Sequence, residues 1–325
     1  MDLNNRSKEL RTKAIDWMKT IDGDIHYSSI GGSTARGEAD EYSDIDLVIY
    51  LENDSTIGEQ NLIYDGELIQ IEMKHRNELP DKNDITAFPW DYRFLNELLI
   101  MRDVDGRFKQ IKGWAMEYFS SKEGKAQVFN QVAKLVADRN GYALKYLKTN
   151  KMYSALHAAL GAGAEAALLY QFFAFNDLST GTLIRNIGKI KSHFHTFQAA
   201  APFSMNIDPS KVSDTLSHYR EYLRNQNYTC DFALSRIQDQ LFERKAKRLI
   251  ESKEIYNLLW QAYAEGVWLY FETCNGKDFE NYFNELPSDI QEDLSIIGFV
   301  SLSEDKIMTI CQLSEELLQF ADRLK

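Results

Sequence analysis

Residues 31–46 read GGSTARGEADEYSDID, and no other stretch limits the fold as much. Glycine loses more backbone freedom on folding than any other residue, so a glycine pair marks a sharp turn rather than the interior of an element. This pair follows Ile25–Ile30, a short run read as a strand. It precedes Ile45–Leu51 (IDLVIYL), whose β-branched residues read as a second, largely buried strand. Residues 33–38 leave room for a short helix. The chain is therefore expected to pass from strand to tight turn, short helix and strand between residues 25 and 51.

Side chains alternate across a strand, so Asp44, Asp46 and Val48 share one face, and Ile45, Leu47 and Ile49 the other. The two carboxylates then stand about 7 Å apart, at about 3.3 Å per residue. Such a pair is mutually repulsive unless a cation sits between its members. Hard divalent cations such as Mg2+ take oxygen ligands, often one or two carboxylates plus substrate phosphates. Two such ions can clamp the attacking and leaving oxygens of a phosphoryl displacement. Beside them, Gly31 and Gly32 let the backbone approach a ligand closely. Amides at a helix start favour an anion, and the Ser33 hydroxyl adds a donor. Arg36, three residues on, has the reach to pair bidentately with a phosphate. Gly32, Ser33 and Arg36 thus read as a phosphate cradle next to a metal-binding pair, Asp44 and Asp46.

Asn61–Lys74 reads as a hairpin, with Asp65-Gly66 as the two-residue turn. Along Glu67–Lys74, Leu68, Gln70 and Glu72 share a face. Glu72 is the candidate third carboxylate, as a metal ligand or as the acceptor of a proton, with Asp65, Glu67 and Glu78 as substitutes. Glu97–Arg102 reads as a further strand, Asp103–Gly106 as a turn and Lys109–Phe119 as a helix. From about Ser120 helical periodicity dominates, over Gly124–Leu147, Met152–Phe175, Lys211–Leu223, Cys230–Ile250, Ile255–Thr273 and Leu302–Leu324. The expected fold class is α+β: a small sheet domain over residues 1–120 and an all-helical domain over residues 121–325.

Composition narrows the partners. The chain carries 49 acidic and 37 basic side chains, a formal net charge of -12, which repels a polyphosphate backbone. No long nucleic acid is expected as a partner. Cys230, Cys274 and Cys311 are far apart with no CxxC pair, so neither zinc nor a disulfide framework is indicated. Reduced thiols and an N-terminus without an apolar stretch point to a cytoplasmic enzyme. Ala155–Phe175 is the most apolar segment, but Glu165 lies near its centre, and a buried helix is expected rather than a membrane span. Glu165 is expected to pair with an Arg or to end a polar stripe, with a role toward a cationic substrate as the alternative. His157 reads as a core or rim residue. Tyr142, Tyr146 and Tyr153 read as packing residues, with a substrate pocket as the alternative. His193 and His195 have no second cluster to support a metal role. Asp103 and Asp105 read as turn formers.

Gly32-Ser33-Thr34-Ala35-Arg36-Gly37, followed by Ser43-Asp44-Ile45-Asp46-Leu47, resembles the signature of the DNA polymerase β-like nucleotidyltransferase superfamily. The likeness is closest to its minimal members and to enzymes that modify lincosamide and aminoglycoside antibiotics. It is specific over residues 27–74, looser through residues 97–106, and says little about residues 120–325. It implies a mixed sheet, two Mg2+ ions, and transfer of a nucleoside monophosphate from an NTP, ATP being the expected one, to a hydroxyl. By that likeness Gly32 and Ser33 hold the triphosphate, Asp44 and Asp46 bind metal, and Glu72 takes the place of the third carboxylate. Two departures stand out: Thr34 replaces the Arg or aromatic residue of many relatives, and Glu rather than Asp stands at position 72. The expected acceptor is a small molecule, an antibiotic being one case, with the helical domain closing one side of its pocket. A hydroxyl of another protein, as in nucleotidyltransferase antitoxins, is the first alternative. A non-catalytic nucleotide-binding module is the second, and the intact Ser33, Asp44 and Asp46 argue against it.

Overall fold

In the computed structural model, which describes residues 3–21, 25–52, 57–228, 230 and 232–325, the chain forms two compact units. The first comprises Met1–Val128 together with Ser235–Lys245. Its elements are α1 (Asn5–Met18), β1 (Ile25–Ile30), α2 (Gly32–Arg36), β2 (Ile45–Leu51), β3 (Gly58–Tyr64), β4 (Glu67–His75), α3 (Lys82–Ala87), β5 (Leu99–Asp103) and α4 (Arg107–Ser120). The five strands lie in the order β3-β4-β2-β1-β5. Only the β2–β4 pair is parallel, so the sheet is mixed. The β3–β4 connection is the Asp65-Gly66 turn, with φ of 47° and 79°. Positive φ at both positions is what a two-residue hairpin turn matching the strand twist requires.

Alternation along β2 sorts its two faces. Ile45, Leu47 and Ile49 join Ile30, Ile69 and Ile71 in a core against Leu10, Ala14 and Trp17 of α1. On the opposite face, Tyr27 and Tyr50 each meet Phe108 of α4 edge-on, with ring centroids 5.9 Å apart. That covering does not reach the start of β2, where Asp46 and Val48 remain half-buried. The N-terminal helix is tied to the sheet by Arg6, which donates from both terminal nitrogens to Glu67 at 3.0 and 2.6 Å.

Several boundaries differ from the sequence expectation. Leu10, Ala14, Ile15, Trp17 and Met18 at helical spacing predict a first helix over Arg6–Ile21, and it ends at Met18. The last strand spans Leu99–Asp103 rather than Glu97–Arg102. The polar composition of residues 52–60 predicts a loop, but its end belongs to β3, because Gly58 pairs with Met73; residues 53–56 lie outside the described residues.

The second unit comprises Phe129–Leu234 and Ala246–Lys325, and it contains no strand among the described residues. Its helices are α5 (Lys122–Lys148), which begins in the first unit, α6 (Met152–Phe175), α7 (Leu183–Ile187), α8 (Lys191–Ala200), α9 (Pro209–Asn225), α10 (Arg236–Glu251), which belongs to the first unit through Lys245, α11 (Ile255–Thr273), α12 (Phe279–Glu285), α13 (Ser288–Ile296) and α14 (Glu304–Asp322). The run expected as a helix from Cys230 starts only at Arg236. There Ser235 accepts the Gln238 amide in the manner of a helix cap. By length and composition α6 could cross a membrane, yet half of its most apolar window is buried and α14 packs along it. Glu165 within it pairs with Arg139 at 3.1 Å.

Candidate active site

The local chain path places the two aspartates beneath the glycine turn. The Gly31 amide donates to the Asp46 carbonyl at 2.8 Å, which fixes the end of β1 against the start of β2. Gly32 then takes a φ of +60°, and a Cβ built on it would lie 2.0 Å from Asp46 Oδ2. A Cβ there would force the Asp46 carboxylate to move, so glycine is favoured both by the backbone and by the carboxylate below it. Thr34 donates its hydroxyl to the Asp44 carbonyl at 3.3 Å. Ser33 Oγ donates to Ser43 Oγ at 3.1 Å, and Ser43 Oγ donates to Asp40 Oδ1 at 3.0 Å. Ser43, part of the quoted signature but given no role from the sequence, therefore orients the Ser33 hydroxyl.

The two carboxylates load each other electrostatically. Burial first, and then the Asp44 charge, hold the Asp46 carboxyl well above the usual carboxylate range. Asp44 Oδ2 is buried and has no hydrogen-bond partner among the described residues. A buried acceptor left unmade costs its full desolvation penalty unless something binds it. Two hard oxygen donors, one of them orphaned, fit a divalent cation such as Mg2+. With such an ion bound, both carboxylates would be stabilised in their charged form.

The other candidates are placed as follows. Arg36 is near enough to act on the Asp46 charge, but it pairs with Glu38 at 2.9 Å and with Glu97 at 3.2 Å. Glu72 lies on the Asp46 face of β4. The residue in register with Asp46 is Gln70, however, and Glu72 stands against Val48, two residues or about 7 Å farther along. Glu72 is ion-paired with Lys74 at 2.8 Å. Among the described residues no group of three or more His, Cys, Asp or Glu side chains is assembled for a metal. Of the substitutes, Glu67 is held by Arg6, Asp65 sits in the hairpin turn, and Glu78 closes a capping interaction with His75.

Two residues that sequence reasoning passed over belong to this site. Glu97, just before β5, adds negative charge at Asp46 while holding Arg36. Lys245, half-buried in the part of α10 that belongs to this unit, acts on Asp46 in the opposite sense and lowers its pKa. The same stretch is anchored on the hairpin: Asn61 donates to Ser235 Oγ at 3.4 Å, and Arg244 donates to the Gly66 carbonyl at 3.4 Å. No signal near residue 245 points to residue 46, because the two are joined only by tertiary structure.

Comparisons with known proteins bear on this geometry. Residues 18–112 match the family described as the nucleotidyltransferase domain. No curated protein matches the sequence. Among solved structures, a nucleotidyltransferase-like protein from Exiguobacterium sibiricum 255-15 aligns over 90% of this chain and 89% of its own. Its identity of 11% and TM-score of 0.33 are too low to carry an argument. The family match spans β1 to β5 and contains Gly32, Ser33, Asp44 and Asp46, and this part of the chain is a nucleotidyltransferase domain of the DNA polymerase β-like superfamily.

Proposed function

We propose that this chain moves a nucleoside monophosphate, AMP in the simplest case, from an NTP to a hydroxyl of a small molecule, with Mg2+ as cofactor. The observation that carries the reading is the Asp44–Asp46 pair beneath the Gly32 turn, with Asp44 Oδ2 buried and unpartnered, inside a nucleotidyltransferase domain. Asp44 and Asp46 would hold the metal, which supplies charge neutralisation on the phosphate oxygens. The Gly31-Gly32 backbone leaves the triphosphate room to approach. Ser33 donates to a phosphate oxygen by turning its single hydroxyl proton away from Ser43. Lys245 and Arg36 offset the accumulated negative charge. The acceptor oxygen attacks the α-phosphorus, the bond to the bridging oxygen breaks, and pyrophosphate leaves. Glu72, on the same sheet face, receives the acceptor proton in this reading, and its ion pair with Lys74 opens for that step.

The test is incubation with each NTP and Mg2+ against a panel of small hydroxyl compounds, aminoglycosides and lincosamides included, read by mass spectrometry with pyrophosphate release in parallel. A gain of one nucleoside monophosphate on a small molecule supports the reading. The same gain on a protein moves the acceptor to the antitoxin-like class. NTP binding with no pyrophosphate release under any condition overturns the enzymatic reading.

A further inference from the structure

The helical unit carries an open pocket of about 340 Å3 among α5, α6, α11 and α12. That volume suits a small molecule. Its walls are aromatic: Tyr142 and Tyr146 on α5, Phe271 on α11 and Phe279 at the start of α12. Tyr142 and Phe271 are 55% and 57% exposed, so both rings present apolar surface at the mouth of the pocket. The His157 ring lies nearly parallel to Phe279, 6.1 Å away at 19°, and edge-on to Phe271 at 5.3 Å.

Most of the polar groups on the wall are committed elsewhere. Asp278 accepts from Lys151 at 2.5 Å and from the Asn281 amide at 2.9 Å. Ser154 donates its hydroxyl to Glu280 at 2.5 Å. Two groups can still meet a ligand, one without a partner and one a half-exposed cation that is only partly engaged. One is His157, whose Nδ1 is buried with no hydrogen-bond partner among the described residues. Burial first, and the charge of Arg139 second, lower its pKa to about 4, so it is a neutral partner at pH 7. The other is Arg139. Its Nη2 pairs with Glu165 at 3.1 Å, and its Nη1 rests over Gly161, where a Cβ would come within 2.4 Å. The glycine notch and the ion pair hold a planar cation in a fixed attitude beside aromatic walls. A fixed guanidinium fork selects carboxylates over point charges, and the rings select a flat apolar body.

We propose that this cavity binds a small aromatic acid, its ring against Tyr142 and Phe271 and its carboxylate toward Arg139. Every residue in the argument belongs to the helical unit, so the proposal stands apart from the nucleotidyl-transfer reading.

The experiment titrates the full chain, without nucleotide, against benzoate, 4-hydroxybenzoate and indole-3-acetate, with benzyl alcohol and benzylamine as neutral and cationic controls, followed by calorimetry and ligand-observed NMR. Saturable binding of the carboxylates is expected, with both controls at least about tenfold weaker, a difference of about 1.4 kcal/mol. Phe271→Ser and Tyr142→Ser change rings that are more than half exposed, so the fold should persist, and each should weaken binding several-fold. Arg139→Gln should erase the preference for the carboxylates over benzyl alcohol. Should that variant fail to fold with Glu165 stranded, Arg139→Lys keeps the charge without the fork and should weaken binding while retaining the preference. No saturable binding by any carboxylate, equal binding of benzylamine, or wild-type affinity in the ring variants would each overturn the proposal.

Discussion

Gly32 and Asp46 compete for one place: a Cβ on the glycine would stand 2.0 Å from the carboxylate oxygen Oδ2, at a backbone φ of +60°. The glycine is therefore a requirement of the aspartate as much as of any phosphate. Gly32→Ala should displace the Asp46 carboxylate and add roughly 1–2 kcal/mol of left-handed strain. Turnover is expected to fall at least about tenfold, with a modest loss of melting temperature. Steady-state assays alongside thermal melts check this, and wild-type turnover in the alanine variant would show that the carboxylate position is not critical.

Asp44→Asn and Asp46→Asn keep shape and remove charge. Since metal charge stabilisation supplies several kcal/mol, each variant should lose at least about a hundredfold in rate. Melting of the metal-free protein should hold or rise, because a like-charge repulsion is relieved. The stabilisation given by NTP with Mg2+ should shrink in both. Variants that melt much lower without metal yet keep full activity would make these aspartates structural.

Lys245 gives a prediction from tertiary structure alone. Lys245→Met removes a cation that acts on Asp46 and, in the proposed reading, a charge-assisted contact to phosphate worth about 1.5–3 kcal/mol. NTP affinity should fall at least about tenfold, and its salt dependence should flatten. Calorimetry with a non-hydrolysable NTP at two ionic strengths reads both; unchanged affinity would remove Lys245 from the nucleotide site.

His157 makes stability depend on pH. Its pKa is lowered from 6.5 to about 4, by burial first and by Arg139 second. The unfolded chain therefore binds the proton more readily than the folded one. The stability this neutral histidine contributes is fully present above about pH 6.5 and is lost as pH falls toward 4. His157→Gln should flatten the fall in melting temperature across that window. A wild-type melting curve that is flat there, or an equal slope in the variant, would contradict the shift.

The parts of the site that could be read from the sequence are those joined by a short length of chain. Strands Ile25–Ile30 and Ile45–Leu51 fall where β-branched runs and the glycine break put them, and Gly32 closes on Asp46 over a single turn. Alternation along β4 correctly assigns Glu72 to a face. It cannot say which residue stands beside Asp46, because register is set by pairing across the sheet, and Gln70 holds that position. Arg36 looked free to meet a phosphate because spacing alone does not reveal its pairing with Glu38, and its second partner, Glu97, is remote in sequence. Lys245 was hidden for the same reason, at greater separation. Among the helices, long periodic runs such as Met152–Phe175 and Ile255–Thr273 were legible to the residue, whereas α7, α12 and α13 are too short to display a period.

The return of Ser235–Lys245 to the first unit has a consequence for how such a protein can be cut or recombined. A fragment ending at residue 128 would carry the glycine turn and both aspartates, yet it would lack Lys245 and the contacts of Ser235 and Arg244 on the hairpin. The nucleotide-handling part is thus not a detachable cassette. Any graft that moves it to another chain must bring along a helix encoded more than a hundred residues downstream, or rebuild its positive charge by other means.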